Sequence, residues 1–353
     1  MASIDYLKEI SPDLAMEILY KLDPFNLKQA CTLNKYFQKR VCTINFRNLY
    51  RKKNGKSIYR YNFREQKVDN LGVYYDILGY SSKNVYLADL YGKYIEYDLN
   101  DNTKLLLALN YNLKKFVHKS YYDIFYFIDD QYSLVSVDSL DSTKKILATK
   151  VKDAIIISND LFILKLDGSV YHTPLKTGGK YFNPKDLRLV KKGVKQIILN
   201  LLDVVLLNKN GSFSIAYHDT EENNLDRVSD YYGIKNVTQF KAYDMNDERI
   251  EVKKIPKFKF ITNSGVRGIF LRDSNGNGWD FNLINETFTD LGIKLKKAYY
   301  IGEDNLIGIG FDGKLYRFAA LKKEWVLFPG KRNHDVLDLY KDEDNFLVEY
   351  RLE

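Results

Sequence analysis

This chain has little cysteine, little proline and no long apolar run. Only two of its 353 residues are cysteine and six are proline. No stretch of about 18 apolar residues occurs, so no membrane-spanning helix and no membrane contact are expected. The opening MASIDYLKEI carries charge throughout and lacks the short apolar core of a secretion signal. Cys31 and Cys42 cannot build a disulfide framework, and they lack the paired spacing of a zinc site. Together these absences predict a reducing, intracellular setting, in cytoplasm or nucleus.

Motifs that carry chemistry are scarce too. His118, His172, His218 and His334 lie far apart and outside any metal or nucleophile motif. Lys176-Thr177-Gly178-Gly179-Lys180 lacks P-loop spacing and reads as a loop between strands. Asp273-Ser274-Asn275-Gly276-Asn277-Gly278 opens like a calcium loop, but the acid due at its twelfth position is replaced by Ile284. A plain hairpin turn is the reading there. Neither an enzyme, a cofactor nor a metal is expected.

Charge is unevenly placed. The formal net charge is +8, and residues 1–56 hold eleven basic and five acidic side chains. The remaining residues hold 43 basic and 41 acidic side chains, which disfavours nucleic acid as the partner of the larger part.

What is present begins with two helices. Ser11 is an N-cap and Pro12 fills the first helical position, where a missing N–H costs nothing. Leu14, Ile18, Leu19 and Leu22 follow at helical spacing. Asp23-Pro24 repeats the cap-then-proline device and opens a second helix with Leu27, Ala30, Cys31, Phe37 and Val41 on its apolar side. Two short helices bury too little surface to stand alone, so this face needs a partner or the rest of the chain. The order Pro12, Ile18-Leu19, Leu22-Asp23-Pro24, Leu27, Asn34-Lys35 and Phe37 resembles the F-box. Ser11 stands where that family has leucine, and Thr32-Leu33-Asn34 where it has valine-cysteine. The resemblance implies a Skp-type adaptor, and through it a cullin, docking on Pro12, Leu14, Ile18, Leu19, Leu22, Pro24, Leu27 and Phe37. The alternative is a helical hairpin that packs on the rest of the chain.

After Asn54-Gly55 the pattern turns to period-two alternation rich in Tyr, Val, Ile and Phe. VKDAIIISNDLFILKLDGSVYHT, VKQIILNLLDVVLLNKNGSFSIAYH and KKAYYIGEDNLIGIGFDGKLYRF repeat one plan of strands around a hairpin. The turns fall at Gly92, Gln131, Gly168, Gly211, Gly278 and Gly313, mostly 35 to 43 residues apart, the length of one four-stranded propeller blade. The longer step from 211 to 278 predicts an insertion over Asp244–Ile261, or else an extra degenerate blade. HDVLDLYKDEDNFLVEYRLE supplies only two strands, and GKSIYRYNFREQKVDNLG after the helices supplies the missing two. The fold expected is therefore mainly β: a helical head over 1–54, then a seven-bladed antiparallel β-propeller over 55–353, its last blade closed by both chain ends. A count of six to eight is the range allowed.

No Trp-Asp dipeptide marks the repeats, whereas Val-Lys-x-Ile followed by Asp-Gly is similar to regulator-of-chromosome-condensation propellers. That family's Gly-His pair and Gly-Gln-Leu-Gly closing sequence are absent. The F-box resemblance implies a substrate receptor of a Skp–cullin–F-box ubiquitin ligase, in which the propeller read from the repeats would hold an unknown target protein near the ligase. Tyr91, Tyr231 and Tyr232 are candidate contact anchors. The alternative is a propeller that binds proteins, chromatin or nucleic acid without any link to ubiquitin.

Overall fold

The computed structural model describes residues 10–352 except 34, 63–66, 81–82, 110, 121–123, 139–142, 158–159, 176–181, 201–202, 217–241, 246–247, 251–255, 264–267, 285–286, 302–304, 320–321, 323, 329–334 and 343–344. Helices α1 (Pro12–Tyr20), α2 (Pro24–Leu33) and α3 (Ile44–Asn54) come first, with one π-helical turn at Phe37–Val41. The strands then begin with β1 (Lys56–Asn62) and β2 (Lys67–Tyr74). One four-stranded sheet holds β3 (Asp76–Tyr80), β4 (Asn84–Ala88), β5 (Tyr94–Asp98) and β6 (Lys104–Leu107). The next holds β7 (Leu113–Lys119), β8 (Ile124–Asp129), β9 (Leu134–Asp138) and β10 (Lys144–Ala148). Then come β11 (Val151–Ile157), β12 (Asp160–Lys165), β13 (Val170–Pro174) and β14 (Arg188–Lys191). A three-stranded sheet follows, with β15 (Val194–Asn200), β16 (Asp203–Asn208) and β17 (Phe213–Ala216).

Two short strands, β18 (Ala242–Asp244) and β19 (Arg249–Ile250), pair with each other, and β18 runs parallel to β23. β20 (Phe258–Asn263), β21 (Gly268–Asp273), β22 (Asn277–Asn282) and the long β23 (Thr287–Ile301) form the next sheet. The second half of β23 starts another, with β24 (Asn305–Gly310), β25 (Leu315–Ala319) and β26 (Glu324–Leu327). β27 (Val336–Asp342) and β28 (Asn345–Arg351) end the chain, and β28 pairs antiparallel with β1. The fold is thus mainly β, a series of small antiparallel sheets.

These sheets stack face to face, because their second strands are apolar on both sides. In β8, β12 and β21 nearly every residue is buried, so each such strand needs cover on two faces. The buried clusters accordingly lie between sheets: one joins Ile163 and Leu161 to Tyr126 and Ile128, another joins Phe162 and Leu164 to Val204 and Leu206. The first strands β3, β7, β11, β15, β20, β23 and β27 approach one another in that order.

One hydrogen bond recurs at five of the junctions between sheets. Val194 N–H donates to the Gly168 carbonyl at 2.8 Å, and Phe258 N–H to Gly211 at 2.8 Å. Leu295 bonds Gly276 and Val336 bonds Gly313 in the same way, at 3.2 and 2.9 Å. The acceptor is always the positive-φ residue of the preceding hairpin, where glycine meets no Cβ penalty. The expected turn at Gly278 is corrected: the left-handed residue is Gly276, φ 88°, and Gly278 lies inside β22. Likewise Tyr132, not Gln131, takes this role, with φ 59° and a carbonyl that accepts from Val151 N–H at 2.7 Å.

β1 and β28 close the chain on itself in one sheet of order β2-β1-β28-β27. At this seam Glu349 is 1% exposed. Its carboxylate receives Lys56 Nζ at 3.2 Å and the Ile77 N–H at 3.4 Å, and Lys56 also reaches Asp76. Burial pushes the Glu349 carboxyl up to about 7; Lys56 opposes the rise, and Asp76 and Asp338 add to it.

Two sequence expectations change here. The last residues of the Asp244–Ile261 insertion belong to β20, and what is inserted is the β18–β19 pair appended to the outer edge of β23. Cys31 and Cys42, read from the sequence as unable to build a disulfide framework, form a single disulfide, Cα–Cα 5.9 Å, within the helical region. Their Cα atoms are close because α2 and the π-helical turn pack together around Leu27, Phe37 and Val41.

Gly211 combines positive φ with a close neighbour: a Cβ there would lie 2.9 Å from the Lys257 Cβ, whereas one on Gly193, also at positive φ, meets nothing. Gly211→Ala should therefore cost roughly 2–3 kcal/mol in denaturant melts, against about 1 kcal/mol for Gly193→Ala. Equal losses would show that the approach of the next sheet is not tight. For Glu349, the folded state keeps a proton that the unfolded chain releases between pH 4.5 and about 7. Stability should fall as pH rises through that window, by on the order of 2–3 kcal/mol. Urea melts of Glu349→Gln should lose this slope; a difference from the unaltered chain that stays flat with pH would refute it.

Candidate interaction surface

The eight residues singled out in the helical region divide between two faces. Ser11 Oγ accepts the Leu14 N–H at 3.3 Å and starts α1 as its sequence predicts. Along that helix Ala15 and Leu19 turn inward, at 1% exposure each, while Leu14 and Ile18 are 50% and 44% exposed. Pro12 is exposed with them, Leu22 is half-buried, and Pro24, Leu27 and Phe37 are buried. The inward set shares a core with Phe46 and Tyr50 of α3 and with Leu90 of the β4–β5 hairpin. Leu14 and Ile18, one turn apart, thus share the outward face, and Pro12 is exposed at the start of the helix. On α3, Ile44 and Leu49 are also exposed.

Polar contacts fix the helices to the strands. Asp23 caps α2 by accepting the Asn26 N–H at 3.0 Å, and its other oxygen receives Asn112 Nδ2 at 3.3 Å. Tyr50 donates its hydroxyl to the Leu22 carbonyl at 2.8 Å, and burial raises its pKa. Gly92 lies directly under the Pro24 carbonyl and the Phe25 backbone. A 350 Å³ cleft remains between α2, α3 and the hairpin, lined by Leu27, Phe46, Arg47, Leu90 and the exposed Tyr91. A second, of 330 Å³, lies between Asp23, Phe25, Tyr75, Tyr94 and Lys114.

One set of side chains went unread in the sequence. In β7, β11, β15, β20 and the second half of β23, pairing skips one residue at a bulge, and that residue is Lys114, Lys152, Lys195, Lys259 and Lys296 in turn. The signal was the repeated apolar-Lys-x-apolar tetrad, visible in the Val-Lys-x-Ile pattern. Summed charge concealed it, because the acids that balance these lysines sit elsewhere.

The other candidates are placed as follows. Asp273 is 7% exposed, and its carboxylate accepts the N–H of Asn275 and of Asn277 at 2.8 and 2.9 Å, plus Asn277 Nδ2. This is the geometry of a capped hairpin turn. His172 is buried in β13, where its Nε2 faces Asp160 at 2.7 Å and its ring packs on Phe162. Burial lowers the pKa of His118. His218, His334, Tyr231, Tyr232 and the 176–180 loop lie outside the described residues.

The Asp273 oxygens serve three donors of the turn, and among the described residues no cluster of acids stands with Asp273 to hold a metal. Millimolar calcium should not move the Tm, whereas Asp273→Ala should lower stability by roughly 1–3 kcal/mol by orphaning two N–H groups. A calcium-dependent rise of several degrees would overturn this, since saturating a site at ~100 Kd adds roughly 2.7 kcal/mol.

No family model matches the chain, and no curated protein matches it. Solved structures do. Prp20p from Saccharomyces cerevisiae, described with its binding to Gsp1p and histones, matches at a TM-score of 0.52 and 8% identity, over 83% of this chain and 91% of that one. The same yeast RCC1 (Prp20) in a complex with Kap60 gives 0.52 and 8%, over 83% and 88%. Human WBSCR16 gives 0.54 and 9%, over 84% and 99%. At such identities the likeness is one of architecture alone. The architecture is a β-propeller.

Proposed function

We propose that this chain is a protein-interaction module: a seven-bladed propeller over 55–353 carrying a helical docking head over 1–54. It acts by holding other proteins and performs no chemistry of its own. The observation that carries this reading is the outward side of α1, where Leu14 and Ile18 stay 50% and 44% exposed although the inward side of the same helix is fully packed. A helix that needs only to fold has no use for apolar residues on its second face. The neighbours in fold point the same way, since Prp20p is described as binding Gsp1p and histones and as bound to Kap60.

A second reading narrows the first: the head is an F-box, and its partner is a Skp-type adaptor leading to a cullin and a ubiquitin ligase. The capped, proline-led start of α1 and the exposed Pro12, Leu14 and Ile18 favour it. In that reading Leu19, Pro24, Leu27 and Phe37 hold the head together, and Pro12, Leu14 and Ile18 meet the adaptor.

The doubly substituted Leu14→Asp/Ile18→Asp chain tests both readings. Because both side chains are outward, its Tm should stay within about two degrees of the unaltered chain. Binding of a purified Skp-type adaptor, measured by calorimetry, should weaken by at least about a hundredfold, roughly 3 kcal/mol, as unpartnered charge is desolvated. If the unaltered chain does not bind the adaptor, the F-box reading fails. If the double substitution melts the whole protein, the outward face is internal and the docking head itself is refuted.

A further inference from the structure

The bulge lysines form an arc at one end of the propeller. Each follows directly on the buried residue whose N–H bonds the preceding hairpin or, at Leu113, the Tyr94 hydroxyl, so all five stand on the hairpin side. Lys114, Lys152, Lys195 and Lys259 are exposed and Lys296 is half-buried. They are held at close quarters. Lys152 Nζ donates to the carbonyl of Lys195, and Lys195 Nζ to the carbonyl of Lys259 at 2.7 Å. Burial, then the charges of Lys259, Lys152 and Arg272, lower the pKa of Lys195. Among the described residues no carboxylate pairs with any of the five. Asp153, the acid that follows Lys152 on β11, is taken by Lys115 across the sheet boundary. Lys150, Lys192, Lys257 and Lys294, all exposed, stand just before the buried residues and add charge of the same sign.

We propose that this arc is the docking surface for an extended, acidic segment of a partner protein. Uncompensated cations crowded on one rim repel each other, and an acidic ligand relieves that repulsion. Spacing fits the occupant: a lysine side chain bridges β11 to β15 and another bridges β15 to β20, and alternate side chains of an extended peptide recur every ~6.7 Å, a similar reach. The surrounding hairpins expose Tyr91, Tyr132, Leu166 and Phe311, which suits a ligand with apolar side chains between its acids. Single-stranded nucleic acid fits less well. Such grooves interleave cations with open aromatic faces, whereas among the described residues only Lys114 of the five stands over an aromatic ring, that of Tyr132.

The test uses the full chain and a fluorescein-labelled twelve-residue peptide of alternating Glu and Leu, followed by anisotropy. Lys152→Gln/Lys195→Gln/Lys259→Gln should weaken binding at least about tenfold. A control with Lys145→Gln/Lys185→Gln/Lys322→Gln, lysines away from the arc, should change it less than about twofold. Replacing every Glu of the peptide by Gln should abolish binding. If the triple substitution proves unstable, Lys152→Gln alone, with unchanged Tm, should still weaken binding by about threefold. The proposal is overturned if the unaltered chain does not bind the peptide, if the control weakens it equally, or if a single-stranded oligonucleotide of equal charge binds more tightly.

Discussion

The hydrogen bond from the first buried residue of one sheet to the left-handed residue of the preceding hairpin ties five of the sheets to the one before, and the rest of the structure depends on it. It fixes how far each sheet turns relative to its neighbour, and hence how the apolar second strands meet. A hairpin carbonyl can point outward to the next sheet only if its own backbone has positive φ, which is why glycine recurs there. Tyr132 shows that the requirement is conformational: it accepts the same bond at φ 59°, with Lys114 Nζ 3.9 Å from its ring centroid. The bulge that follows four of these bonds turns a lysine out of the ladder, and after Val336 it turns out Leu337. The basic arc is therefore a by-product of the same device that joins the sheets.

Much of this was legible from residue pattern. Alternation and hairpin glycines disclosed the repeated sheets, and the unpaired strands near the two ends disclosed that β1 must find β28. Turn placement was less legible, because Asn277-Gly278 looks like a better turn than Asn275-Gly276 until the Asp273 carboxylate is seen to cap the earlier one. The position of Tyr132 was hidden because nothing in its side chain announces a left-handed backbone. The disulfide was hidden because eleven residues of separation say nothing about how α2 and the π-helical turn meet.

The candidate site was legible by residue type and not by direction. Leu14, Ile18, Leu19 and Leu22 read as one stripe, yet α1 packs on only part of it. The chain supplies its own cover for Leu19 through Phe46, Tyr50 and Leu90, an arrangement that depends on contacts with α3 and a hairpin far along the sequence. Charge failed as a guide for a related reason. A sum over hundreds of residues cannot register lysines that five of the repeats place at one structural position.

The pairing of β1 with β28 has a consequence for biosynthesis. Lys56 and Glu349, partners at the seam, are separated by 293 residues. At ribosomal speeds of about 5–20 residues per second, β1 waits roughly 15–60 s for its neighbour to be made. Throughout that interval the β1 edge is an unpaired template, open to any other extended chain. The ring's final step is also its most non-local contact, the kind that folds slowly. Completion is therefore a late event, and the nascent chain is at its most aggregation-prone just before β27 and β28 arrive.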